Sequence, residues 1–85
     1  MPFELIWSDK SKKDLRLIDR AIAARIVEKM EEAAGQDTIF LEKVKGTDYF
    51  KYRVGKYRVI IEKFPATKKL FVVKVGHRKN IYKKI

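Results

Sequence analysis

The chain has 85 residues, a formal net charge of +10 and no cysteine. A chain this short hides only about 60–65% of its unfolded surface, so the reading is one domain, 1–85, around one core. The absence of cysteine excludes disulfides and thiolate metal sites and fits a reducing cytoplasm.

No apolar run approaches membrane-spanning length, and Met1-Pro2-Phe3-Glu4 does not read as a signal peptide. The cationic excess points to a polyanionic partner, most simply nucleic acid. A membrane surface would call for a basic amphipathic helix. Here the helical stretch carries most of the acids instead, and no residue after Glu62 is acidic. No membrane partner is therefore expected.

In chain order, Phe3-Glu4-Leu5-Ile6-Trp7 reads as a first strand, apolar on both sides and so interior to a sheet or covered by helices. Ser8 and Asp9 are good helix N-caps. Leu15, Ile18, Ile22, Ile26, Met30 and Ala33 then recur at helical spacing. One helix over this stretch would run about 40 Å and overhang strands of about 17–20 Å. Two helices broken near Leu17-Ile18-Asp19 are favoured, with Asp19 capping the second and Gly35 as its C′ residue.

Residues 36–49 carry the weakest signals. Ile39-Phe40-Leu41 needs a packing partner, and Lys45-Gly46-Thr47-Asp48 reads as a turn. Three alternating runs follow, Tyr49 to Val54, Tyr57 to Phe64 and Leu70 to His77, with Pro65-Ala66-Thr67-Lys68 as the second hairpin loop. The expected fold is α+β: an N-terminal strand, a two-helix hairpin and a three-stranded antiparallel meander, in one sheet with the helices on one face.

Gly55-Lys56 between two alternating runs is a type II′ hairpin signal. It sets Val54 against Tyr57, Arg53 against Arg58, Tyr52 against Val59 and Lys51 against Ile60. Lys51, Arg53 and Arg58 then share one face, and Phe50, Tyr52, Val54, Val59 and Ile61 the other. Two arginines directly opposed cost roughly 0.2–1 kcal/mol, which an anion between them would offset. Tyr52, Tyr57, Phe50 and Phe71 read as core rather than as base-stacking platforms.

Other chemistries lack their residues. The single histidine excludes a multi-histidine metal site, and Ser8 and Ser11, the only serines, read as helix-start residues. No carboxylate pair in the strands suits two-metal phosphoryl transfer or glycoside hydrolysis, and no glycine-rich phosphate loop precedes a helix. What remains is Lys, Arg, Tyr and one His on strands. That set suits metal-free, cofactor-free chemistry on an RNA phosphodiester, where the 2′-OH is the built-in nucleophile and the protein supplies cations, a base and an acid. Tyr82 is a candidate base that surrounding cations would favour as phenolate. His77 is a candidate acid/base, although strand parity points it away from Arg78.

Leu41-Glu42-Lys43-Val44-Lys45-Gly46, Tyr52-Arg53-Val54-Gly55-Lys56-Tyr57-Arg58-Val59-Ile60 and Val75-Gly76-His77-Arg78-Lys79-Asn80-Ile81-Tyr82, in that order and spacing, resemble the RelE/ParE superfamily of toxins from bacterial and archaeal toxin–antitoxin pairs. The resemblance covers nearly the whole chain. It implies a helical hairpin packed on an antiparallel sheet. For a RelE-like member it also implies a ribosome-dependent endoribonuclease that cuts mRNA in the A site through the 2′-OH, with no metal or cofactor, and that is held by a cognate antitoxin.

Carried over by position, the strand cations fall on Lys51 and Arg53, the phosphate-stabilising arginine on Arg58, the general acid or leaving-group stabiliser on Arg78 and the general base on Tyr82. Lys56, Lys74 and Lys79 are expected to contact RNA. The spacing from Arg78 to Tyr82 is shorter than in the best-known RelE-like members, and His77 differs from their residue there. A ParE-like gyrase inhibitor, or a non-catalytic RNA-binding module, is the alternative.

Overall fold

A computed structural model describes residues 3–36 and 41–82. Its elements are β1 (Glu4–Trp7), α1 (Asp9–Arg16), α2 (Arg20–Ala34), β2 (Glu42–Lys43), β3 (Phe50–Val54), β4 (Tyr57–Phe64), a 3-10 turn over Pro65–Thr67, and β5 (Lys69–His77). The strands form one sheet in the order β1-β5-β4-β3-β2. This is the α+β arrangement expected, with two differences. The two-residue β2 adds an edge strand, and β1 runs parallel to β5, so the sheet is mixed rather than purely antiparallel.

The helix breaks where its caps lie. Ser8 Oγ accepts from the Ser11 N–H at 3.0 Å, and Asp19 Oδ2 accepts from the Ala21 N–H at 3.2 Å. Each carboxylate or hydroxyl satisfies a donor that a helix start leaves without a partner. Gly35 closes α2 in right-handed backbone, φ −76°, rather than as a left-handed C′ glycine.

The helical stripe packs on one sheet face. Ile26, Met30, Ala33 and Ala34 of α2 meet Val54, Val59, Ile61, Leu70, Val72 and Val75, with Leu15, Ile18, Leu41 and Tyr52 at the margin. Ile22 is the exception in the stripe, at 37% exposure. Ile39 and Phe40, and the tail after Tyr82, lie outside the described residues.

β1 is an edge strand, not an interior one. Its apolar character is explained by α2 on one side, against which Leu5 and Trp7 pack. Beyond Trp7, α1 takes over the open edge of β5. The Ser8 N–H donates to the Val72 C=O at 3.1 Å, the Ser8 hydroxyl donates to the Val73 C=O at 2.8 Å, and the Val75 N–H donates to Asp14 Oδ2 at 3.0 Å.

The register of β3 and β4 is the one the Gly55-Lys56 loop implies, with Arg53 opposite Arg58 and Lys51 opposite Ile60. Gly55 has φ +57° and Lys56 is not left-handed, as a type II′ turn requires. Between β4 and β5 the register shifts: Ile60 pairs with Lys74, but Ile61 pairs with Val72. Val73 is therefore an extra residue on β5, a bulge. Without it, strict alternation would send Lys74 into the core beside Leu70 and Val72. With it, Lys74 turns to the face away from the helices. Phe71, expected in the core, pairs with Glu62 and Ile6 and points to that same outer face.

Candidate nucleic-acid interface

The outer face of the sheet carries two cross-strand rows. One runs Glu42–Lys51–Ile60–Lys74, the other Arg53–Arg58–Gly76. Glu42, Lys51, Arg53 and Arg58 line a polar cleft of about 230 Å³. The Arg58 guanidinium is tied down by its own hairpin, since Nη1 donates to the Gly55 C=O at 3.0 Å and to the Tyr57 C=O at 2.9 Å. The acid Glu42 reaches Lys51, with Oε2 and Nζ 3.8 Å apart. Sequence reasoning missed Glu42 because β2 is too short to show any alternation.

After β5 the chain doubles back over this face. The His77 C=O accepts from the N–H groups of Asn80 and Ile81, both at 2.9 Å. Ile81 then seats in a small apolar cluster with Val44 and Ile60, flanked by Tyr49 and Val73. That seat carries Tyr82 to Lys51, whose Nζ lies 5.5 Å from the ring centre. Tyr82 is 41% exposed and borders a hollow of about 340 Å³ shared with Val44, Lys45, Thr47 and Lys51. A polar cleft with an aromatic hydroxyl beside it can hold a phosphodiester and place a base near it.

The structure brings Lys51, Arg53, Arg58, Tyr82 and, two strands across from Lys51, Lys74 to one face; Arg78, His77, Lys56 and Lys79 sit elsewhere. Arg78 is exposed at the hairpin end, its N–H donating to the Lys56 C=O at 2.9 Å. His77 faces away from the cleft: it pairs with Tyr57, their rings edge to face at 5.6 Å, and its Nδ1 accepts from the Lys79 N–H at 3.1 Å. That hydrogen bond occupies one ring nitrogen on the side opposite Arg58. Lys56 lines a separate groove with Ile22, Arg25 and Tyr57, and Lys79 is exposed in the turn.

Lys74 borders a third hollow with Lys10 and Asp14. Burial holds its ammonium below the usual lysine range; the charge of Lys10 adds to this and the Asp14 carboxylate partly offsets it. Among the described residues no group of three or more His, Asp or Glu gathers that could hold a metal, and no helix is long and apolar enough to cross a membrane.

A basic outer sheet face, helices packed on the inner face and along the β5 edge, and a segment after β5 folded over the cations define a small α+β module. Residues 5–82 match the family model for the ParE toxin of type II toxin-antitoxin system, parDE, and the chain belongs to that family, within the RelE/ParE superfamily. It is thus a toxin of a type II toxin–antitoxin pair.

Solved structures share the fold. In the RelBE2 toxin–antitoxin complex from Mycobacterium tuberculosis, a chain 18% identical aligns with a TM-score of 0.79, covering 92% of this chain and 100% of that one. The RelB-RelE antitoxin–toxin complex from Methanococcus jannaschii gives 29% identity and a TM-score of 0.72, covering 94% and 98%. The archaeal RelE-RelB complex from Pyrococcus horikoshii gives 22% and 0.75, covering 94% and 99%. No curated protein matches the chain.

Proposed function

We propose that this toxin is a RelE-type mRNA interferase, a metal-independent endoribonuclease that cuts mRNA in the ribosomal A site and so stops translation in the cytoplasm. The observation that carries this reading is the Arg53–Arg58 pair, directly opposed in a polar cleft and sharing its face with Lys51 and Tyr82. Like charges opposed across a hairpin destabilise it, and a phosphate between them reverses that sign.

In the reaction, the 2′-oxygen attacks phosphorus as Tyr82 takes its proton. A bond from phosphorus to the 2′-oxygen forms, the bond to the 5′-oxygen breaks, and a 2′,3′-cyclic phosphate remains. Lys51, Arg53 and Arg58 offset charge growing on the phosphate oxygens. Arg78 supplies a proton to, or stabilises, the leaving 5′-oxygen. His77 has no part in this scheme, because it lies on the other side of the sheet. Two of the structural neighbours are RelB–RelE complexes. A cognate antitoxin with an acidic or amphipathic segment covering the cleft is the corresponding partner here.

Toeprinting on ribosomes programmed with a defined mRNA tests the reading. A-site cuts should appear with wild type and fall by about 10²–10³ in rate in Arg58→Ala and in Arg78→Ala, the loss typical of one positioned charge stabiliser. Undiminished cutting in both variants would remove the mechanism.

The name of the matched family, ParE, favours a second reading, inhibition of DNA gyrase without RNA chemistry. Inhibition of gyrase supercoiling by a protein that makes no cuts on ribosomes would establish it instead.

A further inference from the structure

The turn between β2 and β3 is pinned by its own hydrogen bonds. The Thr47 N–H donates to the Val44 C=O at 3.1 Å, across Gly46 with φ +78°. The Thr47 hydroxyl donates to the same carbonyl at 2.9 Å and accepts from the Tyr49 N–H at 3.1 Å. The Val44 N–H donates to the Tyr49 C=O at 2.9 Å. A left-handed glycine in the third position of a four-residue turn is the type II pattern. Lys45, in the second position, therefore projects from a fixed backbone.

With Lys51 and Tyr82, this turn borders the hollow of about 340 Å³. Val44, only 8% exposed, and the Tyr82 ring are its apolar walls. Lys51 lines both this hollow and the polar cleft, so the two adjoin. A nucleotide holds its base one sugar away from its phosphate. With a phosphate between Arg53 and Arg58, the neighbouring base comes within reach of the hollow. Bases splayed out of single-stranded RNA lie on aromatic side chains and are read by hydrogen bonds along their edges.

The turn limits which edge it can read. Thr47 spends its one hydroxyl proton on the Val44 carbonyl. Lys45 is exposed and joins no ion pair among the described residues. It offers N–H donors and no acceptor. A lysine thus matches a keto oxygen, best of all O6 beside N7 of guanine, and has nothing to receive the amino group of adenine or cytosine.

We propose that this hollow receives the base adjoining the scissile phosphate, and that Lys45 makes it select keto bases over amino bases. The inference rests on the nuclease reading for its substrate. The selectivity belongs to the turn and not to the cations of the cleft, which hold a phosphate common to every sequence.

The test titrates the protein with 2′-O-methyl dinucleotides, which cannot supply the nucleophile, in the pairs GpG against ApA and UpU against CpC. Identical bases on both sides of the phosphate remove any dependence on which side enters. NMR follows two reporters, the Val44 methyls for the base and the Arg58 side-chain N–H for the phosphate. GpG should shift the Val44 methyls upfield by its ring current and bind about tenfold more tightly than ApA, with UpU ahead of CpC. A dinucleotide phosphate lacking bases should move Arg58 alone. In Lys45→Met, which keeps the stem, both preferences should vanish while the Val44 shift persists. On ribosomes, the same variant should level the frequencies of cuts beside keto and amino bases.

Dinucleotides that move Arg58 but leave Val44 in place overturn this inference and not the nuclease reading. A keto preference that survives in Lys45→Met, or its absence in wild type, overturns the selectivity. No shift at either reporter overturns the inference together with the phosphate site on which it leans. A Val44 shift and keto preference in a protein that makes no cuts on ribosomes overturn the nuclease reading and leave the base site standing.

Discussion

A β-carbon built on Gly76 would lie 3.0 Å from Cδ1 of Ile81 and 3.8 Å from its Cβ. Alanine there asks a flexible side-chain tip to move a few tenths of an ångström, whereas valine must push Ile81 out of its seat on Ile60. Tyr82 follows Ile81, so Gly76→Val should separate the Tyr82 ring from Lys51. The nuclear Overhauser contact between those two side chains should be lost and cleavage should fall more than tenfold, while Gly76→Ala keeps both. Persistence of the contact in Gly76→Val would show that Ile81 does not place Tyr82.

The Arg53–Arg58 pair could be read from the chain because a two-residue loop pins its register. The Gly76 contact could not be, since a close approach from five residues downstream leaves no periodic mark. Glu42 was hidden for a related reason: its partner, Lys51, is set by a strand pairing of only two residues.

Among the elements, α1 and its cap are tied to the backbone of β5 by hydrogen bonds from Ser8 and to Asp14. Its Asp14 supplies the acceptor that β1, ending at Trp7, no longer offers to β5. Asp14→Ala leaves the Val75 N–H buried without an acceptor and should lower stability by about 1–3 kcal/mol. Asp14→Asn retains a carbonyl for Val75 and should lose less. Thermal unfolding of both variants measures the difference, and equal losses would mean that the carboxylate charge, not the hydrogen bond, is what matters.

The two-helix break was legible from Asp19, a capping side chain with a local signature. The Val73 bulge and the parallel β1–β5 pairing were not, because both depend on strands distant in sequence. That matters for the site: alternation alone would have sent Lys74 inward. His77 shows the converse, as its parity held and the structure turns it to Tyr57.

At the scale of the molecule, the formal charge of +10 is divided between two surfaces. The α2 surface mixes acids with bases, as the exposed Lys29–Glu32 pair illustrates. The outer sheet face opposes Arg53 to Arg58 beside Lys51 in a cleft whose one acid is Glu42. The free protein therefore carries repulsion that an anionic partner removes.

By linkage, a non-cleavable RNA present at about 100 times its Kd should stabilise the fold by about 2.7 kcal/mol. Differential scanning fluorimetry reads this as an upward shift in Tm that shrinks with added salt. A Tm indifferent to RNA would mean that the cations do not face a polyanion. The overall architecture was accessible from cap, stripe and alternation signals; the order of strands within the sheet was not, since nothing local in β1 distinguishes an edge position from a central one.

β1 has one neighbour in the sheet, β5, and the bond from Ser8 to Val73 joins residues 65 positions apart. Synthesis proceeds from the N-terminus, so the first strand waits without a strand partner until β5 has been translated. Gly76, the seat of Ile81 and the placement of Tyr82 come later still. Topology thus delays maturation: the nascent polypeptide has no assembled cleft until β5 and the turn that follows it have been made.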